Sequence, residues 1–583
     1  MCFKKDQYYA ITQWLVFCLF ALTILAKTLL FNWLVFADVE ENYWMYVITS
    51  LPQKIVPALF IASFVFVTKR PIWTIVANLM IDIWIIANLF YFKANGYFLS
   101  FEVMTKVDNM DGFWDSLKSY FGWDIAIFPI ITIIYSLLYP YVYPNQRKYG
   151  WMVVLVILAL VINIGDQLLH KQHKAIQDES VVFHMHECLP FSHVFTYANA
   201  EWIDYNQWAE QYVRKFSVVS YFPACILYRG LSPLQKIEYI DIDKSRIEPF
   251  LSDKLKEKSK PTTNLIFILV ESLESWPLNS IEGVDFMSNL KAISISSHSL
   301  SCRNLRSQVK HGNSADGQLI DITGLLPITD GVVCYSYFNN VYPSFAQCYE
   351  RSAIINPWHG VWQQDQMTKA YHFQELIEPK RKDKWTDGDT ANRIIQYMDT
   401  ASQPFCVLGI TISSHVPFSY GSNHPKYTIE GMPAQMNAYL NCLHYADSCI
   451  GVIYRHILQS DTLASNTTLV ISGDHTIFRS HDKTLDDYAL NAGIDFQTKK
   501  TYMPLVIYSP SLEGNVQIAD TCYQMDIYPT IMHLIGCEDY YWKSFGINLL
   551  DVTACERAIN EEQARELSDK LIRSNYFATC DNR

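Results

Sequence analysis

The chain has 583 residues, a formal net charge of −12 and a mean hydropathy of +0.04. The negative charge argues against a general nucleic-acid binder, which would present a basic face. The near-zero hydropathy is the average of two unlike parts. Residues 1 to about 170 are strongly apolar, whereas the rest has the composition of a globular α/β protein. The length accommodates one membrane unit with one or two globular domains.

Five apolar runs in the first part are long enough to cross a bilayer, which takes about 20 residues. They cover residues 11–35, 46–67, 72–92, 125–142 and 151–169. Lysines and arginines precede the first run and separate the second from the third and the fourth from the fifth. The positive-inside rule therefore predicts a multi-pass protein of the cytoplasmic (inner) membrane. An odd number of spans places everything after about residue 170 on the periplasmic or extracellular side.

Three charged residues, Lys27, Lys54 and Asp82, fall within the predicted spans. A charge inside a membrane span is a functional candidate by default. The alternative is an internal ion pair, or a lysine that reaches the interface. Residues 101–120 mix aromatic and charged side chains, which fits either an interfacial helix or a loop.

The remaining chain divides by pattern into three regions. Residues 171–260 are interpreted as a juxtamembrane connector, 261–550 as a catalytic domain and 551–583 as a charged, peripheral tail. Buried-strand runs cover 264–270, 405–412, 468–472 and 503–508, and helical patterns cover 390–398, 436–458 and 526–534. Strands that alternate with helices predict a parallel sheet covered on both faces.

Two of the predicted strands are followed directly by candidate metal ligands. Glu271 follows the first strand, and Asp474 and His475 follow the third. Because open α/β sheets place their sites outside the carboxyl ends of strands, these side chains are expected to converge. Two carboxylates and an imidazole suit a divalent metal ion.

Ser314 lies among small residues in the stretch 311–318, which favours a hydroxyl presented at a helix start. Metal coordination would lower the pKa of that hydroxyl and make it a nucleophile. Taken alone, a serine in such a turn is more typical of a cap or turn residue.

Four motifs occur in an informative order along the chain: Val270-Glu271-Ser272, Gly312-Asn313-Ser314, Ser414-His415-Val416-Pro417-Phe418 and Ser472-Gly473-Asp474-His475. Together they resemble the lipoteichoic acid synthase family of phosphoglycerol transferases, within the alkaline phosphatase/sulfatase superfamily. The resemblance extends over nearly the whole chain. It implies a multi-pass α-helical membrane domain followed by an α/β domain with a mixed sheet sandwiched by helices.

The resemblance also implies a metal site and a nucleophile. Glu271, Asp474 and His475 look like ligands of one divalent ion, which would be manganese, magnesium or zinc. Ser314 matches the family's nucleophilic threonine, which also touches the metal. His415 resembles a substrate-pocket histidine that binds phosphate or passes a proton to the leaving alkoxide.

Further pocket residues are implied at Trp362, Gln364 and His481, with Arg479 beside the last. Gln364 stands where the family has an arginine, which weakens the case for an identical substrate. The implied reaction moves a phospholipid head group, phosphoglycerol or phosphoethanolamine, to a glycan, lipid or polymer acceptor through a phosphoester of Ser314. No nucleic-acid partner is expected.

Two alternatives remain open. A sulfatase-type sulfuric ester hydrolase needs a formylglycine made from cysteine, and Cys302 and Arg306 lack the proline or alanine that such a motif carries between them. Cys302 is therefore interpreted as structural. A non-catalytic membrane sensor could retain the fold, although all four metal-site positions are filled. The sequence contains fourteen cysteines, and those outside the cytoplasm could pair with partners that the sequence does not reveal.

Overall fold

The computed structural model describes residues 2–37, 43–66, 72–104, 121–142, 194, 205–231, 243–252, 260–380, 383–416, 418, 424, 426–477, 502–551 and 557–581. The chain divides into two compact units, one of residues 1–105 and 120–238 and the other of residues 106–119 and 239–583. The predicted span 151–169, most of the connector 171–260, and both Arg479 and His481 lie outside the described residues.

The N-terminal unit is helical. Its helices are Cys2–Phe36, Tyr43–Thr49, Leu51–Phe66, Ile72–Asn95, Phe101–Met104, Trp123–Val142, Tyr205–Lys215 and Val218–Leu231. Four predicted spans thus fall on helices, but the second is split at Ser50. Pro52 stands in the first turn of the helix after the break, where a missing N–H is tolerated.

Two helical stretches in the described part of the chain are long and apolar enough to cross a membrane, Leu15–Phe36 and Trp73–Lys93. Shorter apolar helices cover Gln53–Ser63, Trp123–Leu138 and Val218–Leu231. The last of these falls in the predicted connector, yet it packs within the N-terminal unit, because Trp84 Nε1 donates a hydrogen bond to Val218 O at 2.7 Å.

Polarity in this unit is reversed relative to a water-soluble protein. Large apolar side chains such as Ile83 and Leu137 are 63% and 66% exposed. Lys27 and Asp82 are buried instead, with Lys27 Nζ 2.7 Å from Asp82 Oδ1 and 2.7 Å from Thr132 Oγ1. This pattern is typical of helices surrounded by lipid. The internal ion pair is therefore the alternative that the structure supports for Lys27 and Asp82.

Lys54 has a different environment. Its ammonium group donates to Ser50 Oγ at 2.8 Å and to the carbonyl oxygen of Arg214 at 2.8 Å. Arg214 lies in the last turn of the helix Tyr205–Lys215, where carbonyl groups have no partner within the helix. Lys54 thus caps a helix C-terminus, which suits a cation.

The second unit contains the predicted catalytic domain, 261–550, and is called the catalytic unit for that reason. It is built on one nine-stranded sheet. Its strands are β1 (Asn264–Val270), β2 (His298–Arg306), β3 (Arg351–Ile355), β4 (Glu375–Ile377), β5 (Phe405–Ile410), β6 (Thr467–Gly473), β7 (Met503–Tyr508), β8 (Gly514–Ile518) and β9 (Cys522–Tyr523). The order is β4-β3-β5-β1-β6-β7-β2-β8, with β9 also paired to β2. β1 runs parallel to β5 and β6, whereas β7 is antiparallel to β2 and β6. The sheet is therefore mixed, as the resemblance to the family implies, and the parallel arrangement predicted from alternating strands and helices holds except at β7.

Both faces of the sheet are covered. Leu265 and Phe267 of β1 belong to one apolar cluster, and Ile266 and Ile268 belong to the other. This explains why β1 is a continuous apolar run, since a strand buried on both faces has no polar side.

The α-helices in the described residues of this unit are Ser288–Ser294, Ser314–Thr323, Val333–Ser336, Gln364–Ala370, Asp387–Thr400, Ala434–Gln459, Asp461–Ala464, Ile527–Leu534, Glu561–Arg573 and Tyr576–Asp581. Short 3₁₀ helices cover Lys244–Arg246, Glu248–Phe250, Trp276–Leu278, Phe345–Cys348, Val361–Gln363 and Gln524–Asp526.

The sequence pattern predicted that residues 551–583 are peripheral, but the helix Glu561–Arg573 in this region is part of the core. Its Leu567 and Leu571 belong to the apolar core of the catalytic unit. Its buried Asp569 accepts a hydrogen bond from Thr329 N at 2.8 Å. Its charged residues are divided between the two sides of an amphipathic helix, because Arg565 and Asp569 are buried whereas Glu562 is exposed.

Candidate active site

The ends of β1 and β6 bring the predicted ligands together. The two strands are adjacent and parallel, with Val270 opposite Gly473, so that Glu271 and Asp474 leave the same edge of the sheet. Ligand atoms of Glu271, Asp474 and His475 all lie within 4.8 Å of one another. The convergence expected from the strand ends is therefore present.

Ser314 joins this cluster from a separate element. It is the first residue of the helix Ser314–Thr323, and its Oγ donates to Glu271 Oε2 at 3.2 Å and lies 3.3 Å from His475 Nε2. A helix N-terminus presents free N–H groups and the positive end of its dipole, which favours anionic groups. The structure thus gathers all four residues that the sequence assigned to the metal site.

Strained backbone conformations flank two of these residues. Ser272 follows Glu271 with a φ of 53°, and Asn313 precedes Ser314 with a φ of 42°. Each such conformation costs on the order of 1–3 kcal/mol in a non-glycine residue. The Ser272 turn is held by its N–H, which donates to Asp474 Oδ1 at 2.8 Å, and by the Tyr439 hydroxyl, which donates to Ser272 O at 2.8 Å. The two strained turns fix the positions of the acid and the hydroxyl.

The serine helix packs directly against the backbone of Asp474. A Cβ atom added to Gly317 would lie 2.4 Å from the carbonyl oxygen of Asp474. Gly317 is therefore required here for close approach, because any side chain would push the helix away from the strand end.

The electrostatics of the cluster favour a cation. Asp474 Oδ2 is buried and accepts no hydrogen bond from the described residues. Burial, and then the charge of Glu271, raise the pKa of Asp474 to about 7. Burial opposes a charged His475, yet Asp474 and Glu271 raise the pKa of this imidazole. The site holds more negative charge than its buried surroundings stabilise, so the donor set fits a divalent metal ion.

The tautomer of His475 suits metal ligation. Its Nδ1–H donates to the carbonyl oxygen of Thr476 at 2.9 Å, which leaves the lone pair of Nε2 toward the carboxylates. A hydrogen bond of this kind orients a ligating imidazole. Burial also opposes ionisation of Glu271, but the charges of His475 and His415 lower its pKa.

Three further side chains support the ligands. Thr411 Oγ1 accepts from Glu271 N at 3.0 Å, Ser414 Oγ donates to Glu271 O at 2.5 Å, and Gln524 Nε2 donates to Asp474 O at 3.0 Å. The sequence analysis did not identify Thr411 or Gln524. Thr411 follows β5, so the strand-end rule could have found it, whereas no local pattern marks Gln524.

His415 lies at the border of the cluster. Its Nδ1–H donates to Val416 O at 2.6 Å, and its charge affects the pKa of Glu271. The ring of Trp358 meets His415 edge-on, with 6.3 Å between centroids, and Lys384 Nζ lies 5.0 Å from the centre of the Trp358 ring. Trp358 and Lys384 were missed by the sequence analysis, because neither belongs to a motif.

Trp362 and Gln364 are placed differently from the expectation. Trp362 packs against Tyr335 with 5.9 Å between ring centroids, and Gln364 begins a helix with only 1% of its surface exposed. Among the described residues, neither side chain has a hydrogen bond or ring contact with the four clustered residues. The aromatic residue beside His415 is therefore Trp358.

Cys302, which would have to supply the formylglycine of a sulfatase, lies within β2. Its Sγ is 3.1 Å from Cys522 Sγ, and its side chain is buried. The nucleophile position beside the carboxylates is occupied by Ser314 instead. The interpretation of Cys302 as a structural cysteine therefore agrees with its position.

Comparisons with known proteins point to one superfamily. The family model "Sulfatase" matches residues 263–537, and the model "Lipoteichoic acid synthase N-terminal domain" matches residues 2–175. The chain is 24% identical over 310 residues to the lipoteichoic acid synthase-like protein YvgJ of Bacillus subtilis, which covers 49% of either protein. It therefore spans about half the length of this curated relative.

Two other known proteins match this chain over a larger share of their own length. A lipoteichoic acid synthase of Staphylococcus saprophyticus is 20% identical over 578 residues, which is 92% of this chain and 84% of that protein. The crystal structure of the lipoteichoic acid synthase LtaP from Listeria monocytogenes superposes with a TM-score of 0.46 and 17% identity, over 58% of this chain and 97% of that one.

Proposed function

We propose that this chain, a lipoteichoic acid synthase-like member of the alkaline phosphatase/sulfatase superfamily, moves the phosphoglycerol head group of a phospholipid to an acceptor through a phosphoester of Ser314. The matches of both family models support the family predicted from the sequence, and the mixed sheet with both faces covered agrees with the predicted α/β fold class. The observation that carries the reaction is the position of Ser314 Oγ, 3.2 Å from Glu271 and 3.3 Å from His475 at a helix N-terminus.

The proposed cofactor is one divalent metal ion held by Glu271, Asp474 and His475, with Ser314 Oγ as a further ligand. Three of these four donors are oxygens, which suits manganese or magnesium, while the imidazole also accepts zinc. When bound, the ion would neutralise phosphoryl oxygen charge and lower the pKa of the serine hydroxyl. The buried Asp474 Oδ2, which accepts no hydrogen bond from the described residues, supports this assignment.

The first step forms a bond between Ser314 Oγ and phosphorus and breaks the bond between phosphorus and the diacylglycerol oxygen. The serine proton passes to solvent before this bond forms, because Glu271 is itself a proposed ligand and its lowered pKa makes it a poor proton acceptor. His415 donates a proton to the diacylglycerol alkoxide. Because its Nδ1–H is committed to Val416 O, the proton comes from Nε2.

The second step transfers the head group from Ser314 to an acceptor hydroxyl on a glycan, lipid or polymer. The acceptor oxygen bonds to phosphorus and the bond from phosphorus to Ser314 breaks. Neutral His415 takes the acceptor's proton, and Ser314 leaves as the alkoxide with which the first step began. Ser314 and His415 thereby return to their starting states.

The surroundings of His415 support phosphoglycerol over phosphoethanolamine. Lys384 places a cation over the ring of Trp358, and this ring contacts His415 edge-on. A second ammonium group, such as that of ethanolamine, would be repelled there, whereas the neutral glycerol hydroxyls would not. The proposed donor is therefore an anionic phospholipid with a glycerol head group.

The proposed location is the cytoplasmic membrane, with a multi-pass N-terminal unit and the catalytic unit on its outer side. Exposed apolar side chains around buried polar ones support insertion of the N-terminal unit in lipid. The charge distribution around the apolar runs supports the outward orientation.

Mass spectrometry of the trapped protein tests the reaction. The purified full-length protein is incubated with manganese and phosphatidylglycerol vesicles without an acceptor, and its peptides are searched for a phosphoglycerol adduct. We expect the adduct on Ser314, and we expect Ser314→Ala to reduce transfer at least about a thousand-fold. Ser314→Thr is the matched control, because it keeps a hydroxyl at the same atom and should still form the adduct.

Three outcomes would contradict the proposal: an adduct on another residue, full turnover by Ser314→Ala, or sulfate release from an aryl sulfate in place of phospholipid turnover. A wild-type protein that binds manganese but turns over no phospholipid would indicate a non-catalytic sensor. Vesicles of phosphatidylethanolamine, tested in parallel, identify the head group.

A further inference from the structure

Two buried cysteines that are distant in sequence lie side by side in the catalytic unit. Cys302 is in β2 and Cys522 is in β9, 220 residues apart, and their sulfurs are 3.1 Å from each other. Their side chains are 1% and 2% exposed. Both thiols also face the carbonyl oxygen of Asp520, each at 3.7 Å.

We propose that Cys302 and Cys522 form a disulfide bond that links β9 to β2. Closing the gap from 3.1 Å to a bond of about 2.05 Å needs a side-chain movement of roughly 1 Å. The strands are already paired next to the cysteines, with Leu305 opposite Cys522. Cys302 itself pairs with Ile518 of β8, so the side chains of the two cysteines bring their sulfurs together between neighbouring paired strands.

The chemistry is thiol–disulfide exchange. Both side chains are buried in the folded unit, so the exchange takes place during folding and can begin at either sulfur, for example that of Cys302. Its thiolate attacks a protein or small-molecule disulfide and forms a mixed disulfide. The Cys522 sulfur then displaces the oxidant's second sulfur, so that two thiols here lose two electrons and two protons and the oxidant becomes two thiols.

The bond would stabilise the surroundings of the metal ligands without touching them. Cys522 opens the segment that contains Gln524, whose amide donates to the carbonyl oxygen of Asp474. Gln308, just after β2, accepts from Met525 N at 3.0 Å and donates through its own N–H to Gln524 Oε1 at 3.2 Å. The disulfide would link the two chain segments that contain Gln308 and Gln524. Gln308 is hydrogen-bonded to Gln524, and Gln524 is hydrogen-bonded to Asp474.

The proposal uses one element of the proposed function, the outward location of the catalytic unit, since disulfides persist outside the reducing cytoplasm. It does not depend on the transfer reaction. An inactive protein with the disulfide would contradict only the proposed function. An active protein with two free thiols would contradict only this proposal.

Peptide mapping under non-reducing conditions is the direct test. Membranes that contain the full-length protein are denatured in the presence of an alkylating reagent, which gives it access to buried thiols, and the protein is then purified and digested without reductant. We expect a cross-linked peptide pair containing Cys302 and Cys522. Alkylation of both cysteines before any reductant is added would overturn the proposal.

Thermal unfolding provides the second measurement. Reductant should lower the Tm of the wild type by about 3 °C or more, because the bond closes a long loop in the unfolded chain. Reductant should leave the Tm of Cys302→Ser, Cys522→Ser and the double variant unchanged, and the double variant should be no less stable than either single one. Cys449→Ser is the control, since it should keep the wild-type response to reductant. A reductant effect that persists in Cys302→Ser would overturn the assignment.

Discussion

Both units of this protein bury ionisable side chains, but they balance them differently. In the N-terminal unit, Lys27 and Asp82 form a buried pair of opposite charges, 2.7 Å apart. In the catalytic unit, Glu271 and Asp474 are buried beside one imidazole, and Asp474 Oδ2 accepts no hydrogen bond from the described residues. The charge of Asp82 is neutralised by a side chain of the same unit, whereas the carboxylates of the catalytic unit fit an added cation. We therefore assign a structural role to the first pair and propose a metal-binding role for the second.

Removal of a ligand from the unbalanced site should have the largest effect. We expect His475→Gln to weaken manganese binding at least about a hundred-fold and to reduce transfer at least about a thousand-fold, since the imidazole is one of three clustered ligands. Isothermal titration with manganese and a phospholipid turnover assay measure the two losses.

His456→Gln is the matched control for this experiment. His456 contacts Asp399 at 2.8 Å on the surface of the same unit, so its loss should leave manganese binding and turnover unchanged. Wild-type manganese affinity in His475→Gln would contradict the site and remove the contrast between the two units.

Breaking the balanced pair should destabilise the N-terminal unit. Lys27→Met leaves Asp82 buried without its cation, which costs about 3–5 kcal/mol in comparable buried pairs. We expect a lower thermal stability in detergent, with unchanged manganese affinity of the catalytic unit. The measurement is unfolding of the full-length protein in detergent.

A double substitution then tests whether the pair has any role beyond structure. Lys27→Met with Asp82→Leu removes both charges, so it should recover most of the stability lost in the single variant. If the stable double variant loses transfer, Lys27 and Asp82 take part in function after all, and buried charge does not separate the two units.

The sequence predicted the parts of the site that depend on local pattern. β1 was predicted with its observed bounds, and the side chains after β1 and β6 converge because neighbouring parallel strands end at one edge. The strand β2 was missed, because Ser299, Ser301 and Arg303 interrupt its apolar pattern. The resemblance to the family implied a mixed sheet, but the strand pattern did not identify β7 as its antiparallel strand, since strand direction depends on how the chain returns to the sheet.

Residues that act across the fold left no local signal. Gln524 and Asp474 are 50 positions apart, and only the packing of the segment after β9 on the end of β6 brings them into contact. Trp358 likewise meets His415 through the neighbouring positions of β3 and β5 in the sheet. The assignment of Trp362 to the substrate pocket stays a prediction, and its ring contact in the structure is with Tyr335.

Glycine substitutions offer a finer comparison of the two units. In Gly317→Ala the new methyl group would lie 2.4 Å from Asp474 O, so the serine helix must shift. We expect a loss of about 1–3 kcal/mol in unfolding free energy and a roughly tenfold lower turnover. Gly230→Ala is the control, because no atom lies within 4 Å of its added Cβ. Equal effects of the two substitutions would mean that contact between helix and strand end does not position Ser314.

The pH dependence of metal binding follows from the same imbalance. The pKa of Asp474 is raised from 3.8 to about 7 by burial and by Glu271, and that of His475 is raised by its acidic neighbours. Both groups must lose a proton to ligate a cation, so manganese affinity should rise between pH 6 and 8, by at most about tenfold per pH unit for each proton released.

Stability of the metal-free protein should change in the opposite direction. A raised pKa means that the folded state binds more protons than the unfolded state, so the stabilisation present at low pH is lost as pH rises through about 7. Glu271 does not alter this sign in the window from pH 5 to 8, because its pKa is lowered from 4.5. Thermal unfolding with a chelator should therefore show a Tm that falls from pH 5 to 8. With saturating manganese the fall should disappear, since the added cation supplies the charge that Lys27 supplies to Asp82 in the other unit. An equally steep fall in Asp474→Asn would show that another group causes it.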